Sequence, residues 1–201
     1  MGSDDVLVVG AGPTGLVLAC GLRAAGVRVR VVDAAPGPAT TSRALGLQPR
    51  GVEVLDRIGA LGDLPGRALA VQQLVIAVAG RELCRLRVGQ RTRLGGHPGL
   101  LISQAEIEGA LRARLAELGG QVEWGRAVRA VEQDAGGVTV LFAGGVDPAE
   151  ARVRWLVGCD GAHSSVRKAV GIGFPGVPLV ERFLLADVHA ELDRPRDTVL
   201  A

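Results

Sequence analysis

The feature that most constrains this chain lies near its start. Val6-Leu7-Val8-Val9 is a continuous apolar run, and it ends in Gly10-Ala11-Gly12-Pro13-Thr14-Gly15. A short run apolar on both faces suits a buried parallel strand. Pro13 to Ala25 then has helical character, with Leu16, Ala19 and Cys20 turned inward and Gly26 as the stop. Val27 to Val32 is a second short strand, closed by Asp33. Strand, glycine turn, helix and strand in this order make a βαβ unit. Gly10 permits the turn off the strand, Gly12 lets backbone approach a pyrophosphate, and Gly15 with Ala19 lets the helix lie close to the sheet. The N–H groups at the helix start, with their partial positive charge, suit phosphates. Asp33 stands where a carboxylate accepts ribose hydroxyls. The pattern points to dinucleotide binding and does not separate FAD from NAD.

Composition removes other classes. Lys plus Arg is 23 against 21 Asp plus Glu, so the chain lacks the basic excess of a nucleic-acid or polybasic membrane module. Aromatics are 2% with no Tyr, which leaves no stacking platform for single-stranded nucleic acid. Val6 to Leu22 is free of charge but broken by glycines and too short for a membrane span. Cys20, Cys84 and Cys159 are far apart and odd in number, so neither a disulfide framework nor a CxxC metal pair is expected. With an acidic N-terminus unlike a signal peptide, the expected compartment is cytoplasmic. His97, His163 and His189 share no metal-ligand spacing and read as solvated or locally hydrogen-bonded, so no metal is expected.

Further along, Pro49 to Ile58 predicts a helix stopped by Gly59, while Leu74 to Val78 and Glu82 to Val88 read as strands. Ser103-x-x-Glu106 is a capping box for a helix carrying Ile107, Leu111, Leu115 and Leu118 on one face, ending at Gly119-Gly120. Strands are predicted at 122–124, 128–132, 138–142, 153–157 and 183–189, with a tight turn at Asp134 to Gly137 and a short helix from Ser165 to Val170. Leu74, Ile76, Val78, Leu83 and Leu86 could wall a pocket for a flat apolar ligand, but packing in a sheet core is the preferred reading. The arginines at 81, 85, 87, 91 and 93 read as a solvated face, and Cys159 as a small buried hydrophobe rather than a nucleophile.

Five stretches together carry a family likeness: VVGAGPTGLVLACGL, VRVVDAAPGP, SRALGLQPRGVEVLDRIGAL, ISQAEIEGALRARLAELGGQVEWGRAVRAVEQDAGGVTV and WLVGCDGAHSSVRKAVGIGFPG. The chain resembles the class A FAD-dependent aromatic hydroxylases, flavoprotein monooxygenases of the p-hydroxybenzoate hydroxylase-like fold. Within them it is most similar to those acting on polyketide and other polycyclic natural products, over residues 4–190. The implied fold is α/β: a Rossmann-like FAD-binding βαβ domain with a three-stranded β-meander, plus the start of a β-sheet substrate domain. The implied division is residues 1–70 and 100–177 for the FAD-binding domain, and 71–99 and 178–201 for part of the substrate domain. The resemblance implies that Gly10, Ala11, Gly12, Pro13, Thr14 and Gly15 cradle the FAD pyrophosphate, with Asp33 and Ala34 at the adenosine ribose. Glutamate is commoner than aspartate at this place in the family, and Asp33 is shorter by a methylene. Arg43 would meet the phosphate region, Gln104 would hydrogen-bond the cofactor, and Val128 would offer backbone groups to the adenine. Asp160-Gly161 matches a motif implicated in both FAD and NAD(P)H binding, with Arg167 supporting its loop.

The implied reaction is hydroxylation of a small aromatic or polycyclic substrate with O₂ and NADPH or NADH, through a flavin C4a-hydroperoxide. The cofactor carries the chemistry, so no catalytic side chain is singled out. Alternatives on the same fold are an epoxidase, a halogenase, a Baeyer–Villiger-type oxygenase or a non-catalytic FAD-binding fragment. The Trp-x-Trp-x-Ile-Pro signature of tryptophan halogenases is absent from the sequence. So is the family's Gly-Asp-Ala-Ala-His loop, since Gly62-Asp63 continues as Leu-Pro-Gly. The expectation is therefore an N-terminal part of a longer protein, inactive alone, with that loop beyond Ala201.

Overall fold

The computed structural model describes residues 5–40, 46–87, 96–145, 149–177, 191 and 198–200. In chain order the elements begin with β1 (Val6–Val9), α1 (Pro13–Ala24), β2 (Val29–Val32) and β3 (Gly46–Leu47). Next come α2 (Pro49–Arg57), α3 (Leu64–Arg67), β4 (Leu69–Ala70), β5 (Gln73–Val78), β6 (Arg81–Arg87) and β7 (Leu100–Leu101). Then follow α4 (Gln104–Glu117), β8 (Val122–Glu123), β9 (Val128–Asp134), β10 (Gly137–Phe142), β11 (Glu150–Val153), β12 (Trp155–Gly158), α5 (Ser165–Ala169) and β13 (Thr198–Leu200).

A parallel sheet in the order β12-β1-β2-β8 sits between two layers. Val6 and Val8 of β1 face a helical layer, where Leu16 and Ala19 of α1 and Leu111 and Leu115 of α4 are buried. Leu7 and Val9, on the opposite face, pack on Val128, Val140, Phe142, Ala151 and Val153 of the meander, and on Val166 of α5. Alternate side chains thus enter two different cores, which is why β1 is apolar at every position. Each fully buried leucine contributes about 1.5–3 kcal/mol. The Cys20 thiol also meets the Leu111 carbonyl at 3.5 Å where α1 crosses α4.

The meander is antiparallel in the order β11-β10-β9, as expected. The strand predicted at 153–157 is instead two strands in two sheets. β11 ends at Val153 in the meander, Arg154 bends, and β12 begins at Trp155 beside β1. The alternation of β11, with Ala151 and Val153 buried, runs directly into the partly buried Leu156 and Val157 of β12, so the two strands read as one.

A separate sheet has the order β13-β5-β6. Here the sheet-core reading is corrected. Ile76, Val78, Leu83 and Leu86 are exposed, and only Leu74 is partly covered. The register pairs Leu74 with Leu86 and Ile76 with Cys84, which lays an apolar stripe along one face. Arg81, Arg85 and Arg87 are exposed, and Arg85 pairs with Glu82 and Gln73. Arg91, Arg93 and the strand expected at 183–189 lie outside the described residues, as do Arg43 and His189. The two-residue strands β3, β7 and β4 form a third small sheet that no pattern announced.

Candidate cofactor cleft

The turn after β1 is held from three sides. The Gly10 N–H donates to the Val32 carbonyl at 2.8 Å, and the Cys159 N–H donates to the Val9 carbonyl at 2.6 Å. Gly10 has φ +103°, and a Cβ there would meet the Cys159 carbonyl oxygen at 2.4 Å. The glycine is required both by the turn and by the chain leaving β12. Gly15 is tighter still, since its Cβ would lie 1.9 Å from the Gly10 oxygen. Gly12 differs: a Cβ would meet nothing within 4 Å.

At Gly12 the chain enters α1. No side chain caps this helix, Pro13 occupies its first turn, and no acidic residue lies there. The first intrahelical bond is Leu16 N–H to the Gly12 carbonyl, so the N–H groups of Thr14 and Gly15 precede the ladder. A helix start with these donors, a bare glycine before it and no built-in anion fits a phosphate-bearing group.

Asp33 reaches back to this turn. Its Oδ2 accepts the Ala11 N–H at 2.6 Å and its Oδ1 accepts the Ala35 N–H at 2.8 Å. Each carboxylate oxygen has a second lone pair, so hydroxyl donors can still be accepted. The short side chain thus ties the end of β2 to the glycine turn.

Around these residues lies a cleft of about 580 Å³, within the usual range of about 300–1,000 Å³ for ligand sites. The turn lines it with Gly10, Gly12, Pro13 and Thr14, and the end of β2 with Asp33 and Ala34. α4 adds Gln104, β9 adds Val128, and the loop after β12 adds Asp160 and Gly161. Ala11 and Gly15 are buried behind this wall and shape it without facing it. Arg126, Ala127, Cys159, His163 and Ser165 also line the cleft and were not expected there. Arg126 had no sequence signal, because only the return of the chain from β8 to β9 brings it under Asp33. Its N–H donates to the Asp33 carbonyl at 2.8 Å, its Nε lies 2.8 Å from Glu123 Oε2, and its guanidinium sits over the Phe142 ring.

Asp160 has a structural task as well. Its Oδ1 accepts the Ser164 hydroxyl at 2.5 Å, and its Oδ2 accepts the Ser165 and Val166 N–H groups at 2.6 and 3.2 Å. It therefore anchors the start of α5 beside the cleft. Arg167 donates to the carbonyls of Ala162 and Ile172, and so braces the same loop. The Cys159 thiol is pushed up by burial and then by the Asp160 charge, so it remains a neutral thiol and a poor nucleophile. On the capped helix, Ser103 accepts the Ala105 N–H at 3.2 Å rather than that of Glu106, and the Glu106 carboxylate lies 3.1 Å from Arg67. The reciprocal capping box is thereby replaced by a single cap and an ion pair.

A second, smaller cavity of about 310 Å³ is mainly apolar and is lined by Leu47, Pro49, Leu74, Leu101 and Val199, among others. Among the described residues, no three His, Cys, Asp or Glu side chains are placed to hold a metal ion, and no helix is long and apolar enough to cross a membrane.

Residues 3–200 match the family model described as "FAD binding domain". The chain belongs to this FAD binding domain family. A relative in Streptomyces rimosus, 12-dehydrotetracycline 5-monooxygenase/anhydrotetracycline 6-monooxygenase, is 43% identical over 173 residues, covering 86% of this chain and 33% of the relative. Among solved structures, p-nitrophenol 4-monooxygenase from Pseudomonas putida superposes with a TM-score of 0.78 at 30% identity, covering 87% of this chain and 45% of that one. Aklavinone-11 hydroxylase, solved as a ternary complex with FAD and aklavinone, superposes with a TM-score of 0.72 at 33% identity, covering 86% and 36%. The FAD binding domain seen here thus spans about a third of the curated relative's length.

Proposed function

We propose that this chain is the cofactor-binding part of an FAD-dependent monooxygenase that hydroxylates a small polycyclic aromatic substrate with O₂ and NADPH or NADH. The observation that carries the reading is the convergence of Gly12, Asp33, Gln104 and Asp160, from four separate segments, on one cleft at an uncapped helix start. In this assignment Gly10 to Gly15 and the start of α1 hold the pyrophosphate. Asp33 and Ala34 take the ribose, the β9 backbone at Val128 takes the adenine, and Gln104 and the Asp160-Gly161 loop face the remainder. Arg43 lies outside the described residues and is assigned to the phosphates on the family resemblance alone. When bound, the flavin supplies the redox chemistry, passing electrons from NAD(P)H to O₂ so that one oxygen atom enters the substrate and the other leaves as water.

The chain's own part is to bind, orient and exclude water. Residues 1–70 with 100–177 form the cofactor unit, and 71–99 with 178–201 belong to the substrate side. The apolar cavity at Leu47, Leu74 and Leu101 and the bare stripe on β5 and β6 suit a flat apolar substrate. The tetracycline and aklavinone enzymes among the relatives support that substrate class. The test is turnover by the full-length protein under ¹⁸O₂ with NAD(P)H and polycyclic phenols. One ¹⁸O atom in a ring hydroxyl is expected. Product oxygen derived only from water, or substrate-independent NAD(P)H oxidation with every phenol tried, would refute the assignment.

A further inference from the structure

Glu108 is a carboxylate that the fold has no evident reason to bury. It sits on α4, only 5% exposed, one helical turn beyond Gln104. A buried charge costs several kcal/mol unless it is paired and hydrogen-bonded. Its ion pair is loose, with Arg112 Nη1 3.7 Å from Glu108 Oε2, and that nitrogen is buried with no hydrogen bond. Its close contact is on the other side, where the Gln104 Nε2 donates to Glu108 Oε1 at 2.8 Å. Gln104 in turn lines the cofactor cleft.

A primary amide has a donor end and an acceptor end, and the two are nearly isosteric. Left to itself, a cleft-lining glutamine can present either. An ionised carboxylate accepts only. Turning the Gln104 amide over would set oxygen against oxygen inside a buried site, so one polarity is enforced. We propose that Glu108 is a positioning residue for the cofactor: through its hydrogen bond to Gln104 it fixes which end of that amide meets the bound flavin nucleotide. This rests on the assignment of the cleft to FAD. Glu108 touches no part of the cleft itself and acts only through Gln104.

The test compares FAD affinity of the intact protein across three variants of Glu108, each made with Gln104 and with Leu at that position (Q104L). E108Q removes the charge and can turn either an acceptor or a donor toward Gln104, so it keeps a hydrogen bond but no longer enforces one polarity. E108D keeps the charge but is one methylene too short to reach. E108L removes both. Wild type is expected to bind FAD, and E108Q to bind it about two- to threefold more weakly, because either end of the Gln104 amide can then face the cofactor; wild-type affinity in E108Q would show that no polarity is enforced. E108D and E108L should each weaken binding by about tenfold, the equivalent of one lost, well-placed hydrogen bond. In the Q104L background all three should make less than a twofold difference. A carboxylate that merely balances Arg112 gives the opposite order, with E108Q worse than E108D and equal losses in both backgrounds, and that result would overturn the proposal. If E108L does not fold, the order of E108Q and E108D decides. A wild-type protein that binds no FAD would defeat the cleft assignment as well, and is distinct from a wild type that binds FAD with no coupling between positions 104 and 108.

Discussion

Gly12 and Gly15 stand three residues apart and face opposite demands. Gly15 is closed by protein: an added Cβ would sit 1.9 Å from the Gly10 oxygen, backbone that cannot move without breaking the turn. Gly15→Ala is therefore expected to cost about 3 kcal/mol or more of stability, read as a lower denaturation midpoint at unchanged slope. Gly12 is open, with φ −73°, a conformation any residue adopts. Gly12→Ala should change stability by less than about 0.5 kcal/mol yet weaken FAD binding at least tenfold, because the methyl group occupies the space assigned to the pyrophosphate. An intact FAD affinity in the Gly12 variant would remove the phosphate from this turn. The glycine pattern was legible because each glycine answers a backbone demand within a few residues. Arg126 and His163 were not legible, because their place in the cleft depends on where two distant crossovers return the chain.

Elements built on local rules matched the sequence closely. β1 is apolar at every position and β2 at all but Arg30, α1 and α2 begin at prolines, and Gly26, Gly59 and Gly119, all at positive φ, follow the ends of α1, α2 and α4. Elements defined by partners did not match. β3, β4 and β7 are two residues each and exist only through pairing across long separations. The bend at Arg154 separates two sheets without a proline or glycine to mark it. The apolar face of β5 and β6 read as core because alternation reports that a face is apolar and cannot report what lies against it. At this scale α5 is the most exposed to test. It is only five residues long and is held by Ser164, which is 7% exposed, accepts the Arg167 N–H at 3.0 Å and donates to Asp160. Ser164→Ala should lose about 1–2 kcal/mol and raise amide exchange in α5 and the Asp160-Gly161 loop before the parallel sheet responds. Exchange that rises evenly over the whole chain would show that the cap is not local.

Across the whole molecule, the cleft depends on a charged brace between the sheet and the meander. Glu123 takes a two-pronged contact from Arg30 at 2.8 and 2.9 Å and a third from Arg126 at 2.8 Å. The Arg30 hydrogen bond, then the charges of Arg30 and Arg126, outweigh burial and hold its carboxyl below the usual range. A lowered folded-state pKa gives stability that is fully present above the unfolded value of about 4.3 and is lost as pH falls through the folded one. The stability gap between wild type and Glu123→Gln should accordingly be constant near neutrality and close below about pH 4 in acid titrations followed by circular dichroism. A gap that widens in acid would reverse the sign of this contact. The cleft's role depends on where the flavin nucleotide binds, and the most direct measurement is a crystal structure of the protein with FAD. The prediction is density for the pyrophosphate against the Gly12 backbone and the start of α1, with the adenosine ribose on Asp33. FAD held elsewhere, or a cleft between Gly12 and Asp33 left without nucleotide at saturating FAD, would contradict it.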